Sequence, residues 1–334
     1  MSRIPLSVLD LVPVRHGATA GQAMAESVEL ARHVEALGYR RHWFAEHHGM
    51  PGIASAAPAV LAARIAAATS TIRVGSGGVM LPNHAPLAVA EQFGTLEALF
   101  PGRIDLGIGR APGTDQLTAV ALRRGSRASG EDLPELLAEL RGFFRGDFPD
   151  GHPFRRIQAV PALGHEPPIW LLGSSGYSAQ LAGELGLPFA FAHHFSQANT
   201  LPALALYREQ FRPSAALDRP QAMIGAIVVV ADTDAEARRL ALPTALAFLR
   251  LRQGNPGQYP TLEQAEAHPW SAQERTFAED WLSLNVVGGP DSVRRQLDRL
   301  LDATRVDELM VLCAVPDPEA RRRSYTLLRE LHGG

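Results

Sequence analysis

Short apolar runs alternate along the chain with longer amphipathic segments, and this alternation constrains the fold more than any other feature of the sequence. Eight of the runs are strand candidates: Ile4–Asp10, His42–Ala45, Arg73–Met80, Ile104–Gly109, Ile169–Gly173, Phe189–Ala192, Met223–Ala231 and Leu309–Ala314. Most of them are apolar throughout, which is typical of parallel strands covered on both faces. Eight strands that alternate with helices predict a (β/α)8 barrel (a TIM barrel), and a doubly wound open sheet is the alternative.

Helical patterns fill the intervals between the strand candidates. They cover Gln22–Leu37, Ala57–Thr69, Pro86–Leu99, Tyr177–Leu185, Asp234–Arg252 and Asp291–Leu301. Two stretches are longer than a barrel unit needs: Ala111–Pro168 after the fourth strand, with a helical pattern over Glu131–Phe144, and Gln253–Val287 before the last helix and strand. No repeat or low-complexity linker divides the chain, so we expect two insertions on a single barrel domain, residues 1–334.

All 32 basic residues are arginine, and the absence of lysine excludes several enzyme classes. Schiff-base, pyridoxal-phosphate and P-loop chemistry all need an amine that arginine does not supply. The formal net charge of −3 provides no basic field for nucleic acid or anionic lipid. The single cysteine, Cys313, lies in an apolar run and is expected to be an inert core thiol. Neither a signal-peptide pattern nor an apolar stretch of roughly 20 residues is visible, so we expect a cytoplasmic protein without a membrane span.

A carboxylate and two imidazoles follow the second predicted strand, in the run Glu46-His47-His48. In a barrel, catalytic groups come from the C-terminal ends of the strands and from the loops that follow. Imidazole titrates near neutral pH, so this position favours proton transfer by one of the two histidines, with a structural role as the alternative. We expect Glu46 to bond within the scaffold. A metal site shared with the pair His193-His194 is disfavoured, because the first strand has no His-x-His and no aspartates cluster at later strand ends.

Three glycines within four residues interrupt the third strand, at Gly75, Gly77 and Gly78. Glycine weakens a strand, and its usual reason there is a bulge or the close approach of a ligand to the backbone. We favour a flat ligand against Gly77 and Gly78, because side chains at these positions would hold a planar ring away.

The fourth strand ends in a glycine-rich segment, Gly107–Gly113, that includes Arg110. Its spacing is G-x-G-x-x-x-G, Pro112 lies inside the turn, and no acidic residue ends a following strand, so it is not a dinucleotide fingerprint. Arg110 is a candidate ligand for a phosphate or carboxylate, with a surface ion pair as the alternative.

The fifth strand leads directly into a helix through Ser174-Ser175-Gly176-Tyr177-Ser178. Free backbone N–H groups, hydroxyl donors and the positive end of the helix dipole predict a phosphate cradle here, and an ordinary N-cap is the alternative. Because lysine is missing, the cradle suits a bound monophosphate better than a phosphoryl group in transfer.

Taken together, these residues resemble the bacterial luciferase-like family of flavin-dependent monooxygenases. The resemblance runs from Ile4 to about Leu331. It is carried by three blocks in the order and spacing of that family: Ala45–Gly49, then Arg73–Asn83 continuing to Phe100–Arg110, then Gly173–Ser178. The late segment Val287–Val293 also matches the family.

The resemblance implies a (β/α)8 barrel that takes reduced FMN from a separate flavin reductase and uses O2 to oxidise a small organic substrate. It places His47 at the catalytic imidazole and a non-proline cis peptide under the flavin ring. The cofactor-binding residues expected from it are Gly77, Gly78, Asn83, Arg110, Ser174, Ser175, Gly176, Tyr177 and Ser178. The substrate pocket is expected to include Phe44, Met80 and His194.

Two other functions fit the same resemblance: an F420-dependent oxidoreductase and a flavin-binding partner subunit without turnover. In bacterial luciferase a reactive cysteine follows the fourth strand, where this chain has Gly109, so light emission is not expected. Family members commonly pair through helices of the early barrel. Since Ala56–Ala68 is rich in small residues, we expect a homodimer.

Overall fold

A closed barrel of parallel strands forms the centre of the molecule. The computed structural model describes residues 4–111, 113–123 and 132–333, and within them the sheet has nine strands. These are β1 (Leu6–Asp10), β2 (Arg41–Phe44), β3 (Arg73–Met80), β4 (Ile104–Gly109), β5 (Ile169–Gly173), β6 (Phe189–Phe191), β7 (Ala222–Val230), β8 (Val286–Gly288) and β9 (Glu308–Leu312).

Strands β1 to β7 are neighbours in chain order, and β9 closes the ring by pairing with both β7 and β1. Every pairing is parallel, as when Val8 of β1 pairs with His42 of β2. Among the described residues, strand β8 pairs only with the end of β7, where Val286 lies opposite Val228. The predicted eight-stranded barrel is therefore confirmed, and the open-sheet alternative is wrong.

Helices follow the strands and cover the outside of the barrel. Those in the described residues are α1 (Ala20–Ala36), α2 (Pro58–Ala66), α3 (Pro86–Leu99), α4 (Gln116–Leu122), α5 (Leu133–Arg145), α6 (Gly176–Glu184), α7 (Thr200–Gln210), α8 (Asp234–Arg252), α9 (Leu262–Glu266), α10 (Ala272–Leu284), α11 (Pro290–Thr304) and α12 (Pro318–Gly333). Helices α3 and α8 have the predicted boundaries, because a proline at N1 begins α3 and a Thr233 cap begins α8.

Both predicted insertions carry secondary structure of their own. The stretch after β4 contains α4 and α5, and the stretch before α11 contains α9, α10 and the unpredicted strand β8. Residues Pro112 and Glu131, which the sequence reading used, lie outside the described residues. Strand β8 escaped prediction because a three-residue apolar run carries no periodicity.

The N-terminal end of the barrel is closed by buried charged side chains. Arg41 donates from Nη1 to Asp105 Oδ2 at 2.7 Å and from Nε to Glu308 Oε1 at 2.8 Å. Arg73 Nη2 donates to the other oxygen of Asp105 at 2.6 Å, and Trp43 Nε1 donates to Asp105 Oδ2 at 3.0 Å. These bonds pair the buried charges with one another, which indicates a structural role for this cluster.

Candidate functional site

A cavity of about 230 Å³ lies at the C-terminal ends of the barrel strands. In a (β/α)8 barrel this is the face where ligands bind. Eight of the residues predicted for the site line the cavity together: His47, Gly77, Met80, Arg110, Ser174, Ser175, Ser178 and His194. The structure thus brings together side chains that are separated by almost 150 positions in the sequence.

The other five predicted residues, Phe44 among them, do not line the cavity. Gly78 and Gly176 adjoin lining residues, and Tyr177 contacts the Arg110 side chain. Asn83 lies apart, where its Oδ1 accepts a hydrogen bond from Arg123 Nε at 2.8 Å.

The expectation that Phe44 belongs to the pocket is corrected by the structure. Phe44 is fully buried, and its ring lies 5.1 Å from the ring of His42 instead of facing the cavity. Successive strand residues point to opposite faces, so Trp43 faces the cavity when Phe44 does not. The apolar lining that the sequence analysis missed includes Phe191, Met223 and Met310. These residues stand in apolar runs that carry no mark of a ligand.

The glycines of β3 are needed for close packing between strands. The peptide between Gly77 and Gly78 is cis, as the resemblance implied, and the register of β3 against β4 shifts between Ser76 and Val79. A Cβ at Gly78 would lie 2.7 Å from the carbonyl oxygen of Gly107. Close backbone approach and a bulge therefore account for Gly78. Only Gly77 of the pair lines the cavity.

His47 is held in one orientation by backbone groups of two loops. Its N–H donates to the Ser55 carbonyl at 3.1 Å, and its ring Nδ1 lies 3.2 Å from the Gly113 carbonyl oxygen. A carbonyl only accepts, so Nδ1 carries the proton. Burial lowers the pKa of the ring, which is consequently neutral at pH 7, with a bare Nε2.

Glu46 holds this loop in place through hydrogen bonds, and the sequence predicted such a role within the scaffold. Its Oε1 accepts from His48 Nε2 at 2.9 Å and from His84 Nε2 at 2.8 Å, and its Oε2 accepts from the Met80 N–H at 3.1 Å. Burial raises the pKa of this carboxyl, but the three hydrogen bonds outweigh burial and hold the pKa below its usual value. Glu46 therefore ties the loop after β2 to the end of β3.

The Glu46, His48 and His84 side chains are also a donor set that suits zinc, with ligand atoms within 4.8 Å of one another. Their mutual hydrogen bonds already account for their positions. His84 was missed because it lies far from Glu46 in sequence and after a different strand.

Arg110 and the start of α6 form the polar end of the cavity. The Arg110 guanidinium lies over the ring of Tyr177, with its Cζ 4.3 Å from the ring centre, so the aromatic ring stabilises its position. Among the described residues no carboxylate pairs with Arg110. Ser175 is the N-cap of α6, but its side chain makes no capping hydrogen bond. An unpaired cation and an unused hydroxyl at a helix N-terminus together form a site for an anion.

Comparison with known proteins places the chain in a family. A family model described as luciferase-like monooxygenase matches residues 4–308. The chain belongs to the luciferase-like monooxygenase family.

Relatives in this family match along nearly the whole chain. The uncharacterized protein YvbT of Bacillus subtilis (strain 168) is 52% identical, with 98% of this chain and 96% of the relative covered. A luciferase-like monooxygenase of Escherichia coli (strain K12) is 47% identical, with 98% and 97% covered. An N-acetyl-S-alkylcysteine monooxygenase of B. subtilis (strain 168) is 33% identical, with 98% of each protein covered.

Solved structures of similar fold include apo-MsnO8, with a TM-score of 0.89, 40% identity, and 99% of this chain and 98% of the other covered. The oxygenating constituent of 3,6-diketocamphane monooxygenase from Pseudomonas putida, in complex with FMN, has a TM-score of 0.73 at 21% identity, with 98% and 97% covered. An F420-dependent secondary alcohol dehydrogenase in complex with an F420–acetone adduct has a TM-score of 0.70 at 15% identity, with 98% of each chain covered.

Family membership makes the chain an oxidoreductase of the luciferase-like type, and the resemblance seen in the sequence is confirmed. In the described part of the chain no helix is both long and apolar enough to cross a membrane.

Proposed function

We propose that this protein is a monooxygenase that takes reduced FMN from a separate flavin reductase and uses O2 to oxidise a small, largely apolar organic substrate. The observation that carries the proposal is the anion site formed by Arg110 and the N-terminus of α6, at one end of a cavity that also holds the neutral imidazole of His47. FMN has a phosphate that suits the anion site and a planar ring that suits the cavity beside His47.

The polar end of the cavity fits a monophosphate. Arg110 supplies two parallel N–H donors, Ser175 supplies a hydroxyl, and the first turn of α6 supplies backbone N–H groups and the positive end of its dipole. Ser174 and Ser178 line the same end and complete the proposed cradle, with Gly176 and Tyr177 between them. We further propose that Gly77 lies against the flavin ring, with Gly78 setting the adjoining backbone.

The remaining lining residues suit oxygen chemistry on an apolar molecule. When bound, reduced FMN would supply two electrons to O2, so that one oxygen atom enters the substrate and the other leaves as water. His47, neutral and with Nε2 toward the cavity, would take or return a proton at the reacting groups. Met80, Trp43, Phe191 and Met310 would exclude bulk water.

A separate reductase is proposed because the sequence has no dinucleotide fingerprint, so another protein must oxidise the nicotinamide. The P. putida neighbour is described as an oxygenating constituent in complex with FMN, which supports a system with separate reductase and oxygenase proteins. The relative that acts on N-acetyl-S-alkylcysteine suggests thioethers as the first substrates to try.

The second candidate is an F420-dependent oxidoreductase, favoured by the neighbour whose structure contains an F420–acetone adduct. An anaerobic fluorescence titration with reduced FMN and, separately, reduced F420 distinguishes the two. We expect reduced FMN to bind more tightly. The proposal is overturned if only reduced F420 binds.

Turnover is tested by supplying NADH, FMN, a flavin reductase and a panel of alkyl thioethers under air. We expect oxygen consumption coupled to sulfoxide formation, detected by mass spectrometry. Tight binding of reduced FMN without any oxidised product across thioethers, ketones and amines would instead identify a flavin-binding subunit without turnover.

We also propose that residues 1–334 form one domain, which assembles as a homodimer in the cytoplasm. Helix α2 exposes 70% of Val60 beside several small residues, so a second copy could approach it closely. Light scattering at micromolar concentration should give twice the chain mass, and Val60→Arg should shift the protein toward monomer. The same change at Leu284, exposed on α10, is the control. A monomer mass for the unmodified protein would refute the dimer.

A further inference from the structure

His194 is a second imidazole in the cavity, and a single backbone carbonyl holds it in place. The carbonyl oxygen of Gly225 on β7 accepts from the His194 N–H at 2.9 Å and from its ring Nδ1 at 2.8 Å. The ring also lies 4.2 Å from that of Phe195. With backbone and ring tied to the same oxygen, the His194 side chain has one available orientation.

This arrangement determines which ring nitrogen is free. The carbonyl of Gly225 only accepts, so Nδ1 of His194 carries the proton. Burial lowers the pKa of His194 to about 4, and the nearby His193 and His47 rings act in the same direction. The ring is therefore neutral at pH 7, and among the described residues its Nε2 has no hydrogen-bond partner. An acceptor nitrogen thus remains in a cavity that is mostly apolar.

Gly225 is shaped to this ring. A Cβ at position 225 would lie 3.0 Å from both Cε1 and Nδ1 of His194, closer than ordinary van der Waals contact. Gly225 has no left-handed backbone conformation that would otherwise require glycine. It is also the only glycine in β7, whose other residues are Ala, Met, Ile and Val. The missing side chain on β7 therefore leaves the space that the imidazole of His194 occupies.

We propose that Nε2 of His194 accepts a hydrogen bond from an N–H or O–H group of the substrate, so that the enzyme prefers apolar molecules carrying one such donor. This inference rests on the proposed function, in which Arg110 is taken by the cofactor phosphate and His47 by proton transfer. His194 is then the polar group left for the substrate among walls formed by Phe191, Met223 and Met310. A buried acceptor without a partner is costly, so a ligand that lacks the donor binds less well.

The test compares benzyl alcohol with benzyl methyl ether, which share the apolar ring and the oxygen, but in the ether a methyl group replaces the donor hydrogen. Calorimetric titration should show the alcohol binding about tenfold more tightly than the ether, the ratio typical of one hydrogen bond. In protein labelled with heavy nitrogen at histidine, the Nε2 resonance of His194 should shift with the alcohol and not with the ether. No flavin or O2 is present, so this result does not depend on the proposed activity.

Three variants complete the experiment. His194→Leu keeps the volume but removes the acceptor, and we expect the two probes then to bind equally. Gly225→Ala should reduce the preference in the same way, and adding it to His194→Leu should change nothing further. His193→Leu is the control, because His193 bonds to Thr200 Oγ1 at 2.8 Å and does not line the cavity, so the preference should persist.

The proposal is overturned if His194→Leu retains the preference for the alcohol. It is also overturned if His194→Leu weakens reduced FMN binding as much as alcohol binding, since the imidazole would then contact the cofactor.

Discussion

Both ends of the barrel contain charged or polar side chains. At one end these side chains are paired with other protein groups, and at the other end they face a cavity. At the N-terminal end, Arg41 is almost fully buried and lies between Asp105 and Glu308, so each charge has an opposite partner within 2.8 Å. At the C-terminal end, the Nε2 atoms of His47 and His194 and the guanidinium of Arg110 face a cavity without such partners among the described residues. Paired buried charges indicate a structural role, whereas unpaired polar atoms around a cavity indicate a ligand site.

The difference teaches that composition alone does not distinguish a structural polar cluster from a functional one. Burial lowers the pKa of Arg41, but the charges of Asp105 and Glu308 outweigh burial and raise the pKa above its usual value. For His47 and His194, burial prevails and lowers the pKa. Arg41 is thus held in its charged form by neighbouring carboxylates, whereas burial keeps His47 and His194 neutral beside the cavity.

The sharpest test of the N-terminal end is Arg41→Met. Removing Arg41 takes a buried cation away from both Asp105 and Glu308, and the cations that remain, Arg73 beside Asp105 and Arg40 beside Glu308, are more exposed, so we expect the free energy of unfolding to fall by about 3–5 kcal/mol. The measurement is urea denaturation followed by circular dichroism. The control is Arg40→Met, whose half-exposed side chain lies 3.8 Å from Glu308 and should cost about 1 kcal/mol or less. Equal losses in the two variants would show that burial does not separate them.

At the C-terminal end, the largest effect is expected from His47→Ala. A positioned acid or base contributes roughly 10²–10⁴-fold, so turnover should fall about a hundredfold or more while affinity for reduced FMN changes only a few-fold. Peroxide released per NADH should rise. His48→Ala is the matched comparison, because His48 bonds to Glu46 and should matter less. If both variants lose activity equally, His47 and His48 are both structural, and His47 is not evidence for a functional C-terminal end.

Arg110→Ala tests whether the unpaired cation serves a phosphate. Loss of a charge-assisted hydrogen bond should weaken FMN binding by about 1.5–3 kcal/mol, measured by flavin fluorescence. Riboflavin lacks the phosphate, so its affinity should be the same for the variant and the unmodified protein. An unchanged FMN affinity removes Arg110 from the site, and an equal loss for both flavins assigns it to the ring.

The smallest expected effect is a pH dependence that belongs to the C-terminal end. The folded pKa of His194 is about 4 against an ordinary value of 6.5, so the unfolded chain binds more protons between these values. The free energy of unfolding should therefore fall as pH decreases from 6.5 toward 4. His194→Leu should reduce the slope of this free energy against pH by an amount that corresponds to at most one bound proton. His16→Leu, at an exposed histidine, controls for the loss of an imidazole. An identical slope in His194→Leu and the unmodified protein would contradict the neutral ring.

Much of the fold and part of the site could be predicted from the sequence. The strand runs and their spacing predicted the barrel, because fully apolar runs between amphipathic segments are a local property of the chain. His47, Arg110, Ser174, Ser175 and Ser178 were predicted to lie together because they follow the ends of parallel strands, and they line one cavity. Phe44 was assigned to the pocket and lies in the core, since pattern alone does not say which face of a strand points inward.

The sequence by itself determined the barrel, the absence of lysine chemistry and the order of the loops at its C-terminal end, because these depend on residue type and chain order. Only the tertiary structure decided that Asp105 pairs with Arg41, that Met223 and Met310 line the cavity, and that Gly225 makes room for His194. Each of these depends on atoms from different strands meeting within a few ångströms. A free ring nitrogen is likewise visible only when the partner of the other nitrogen is known.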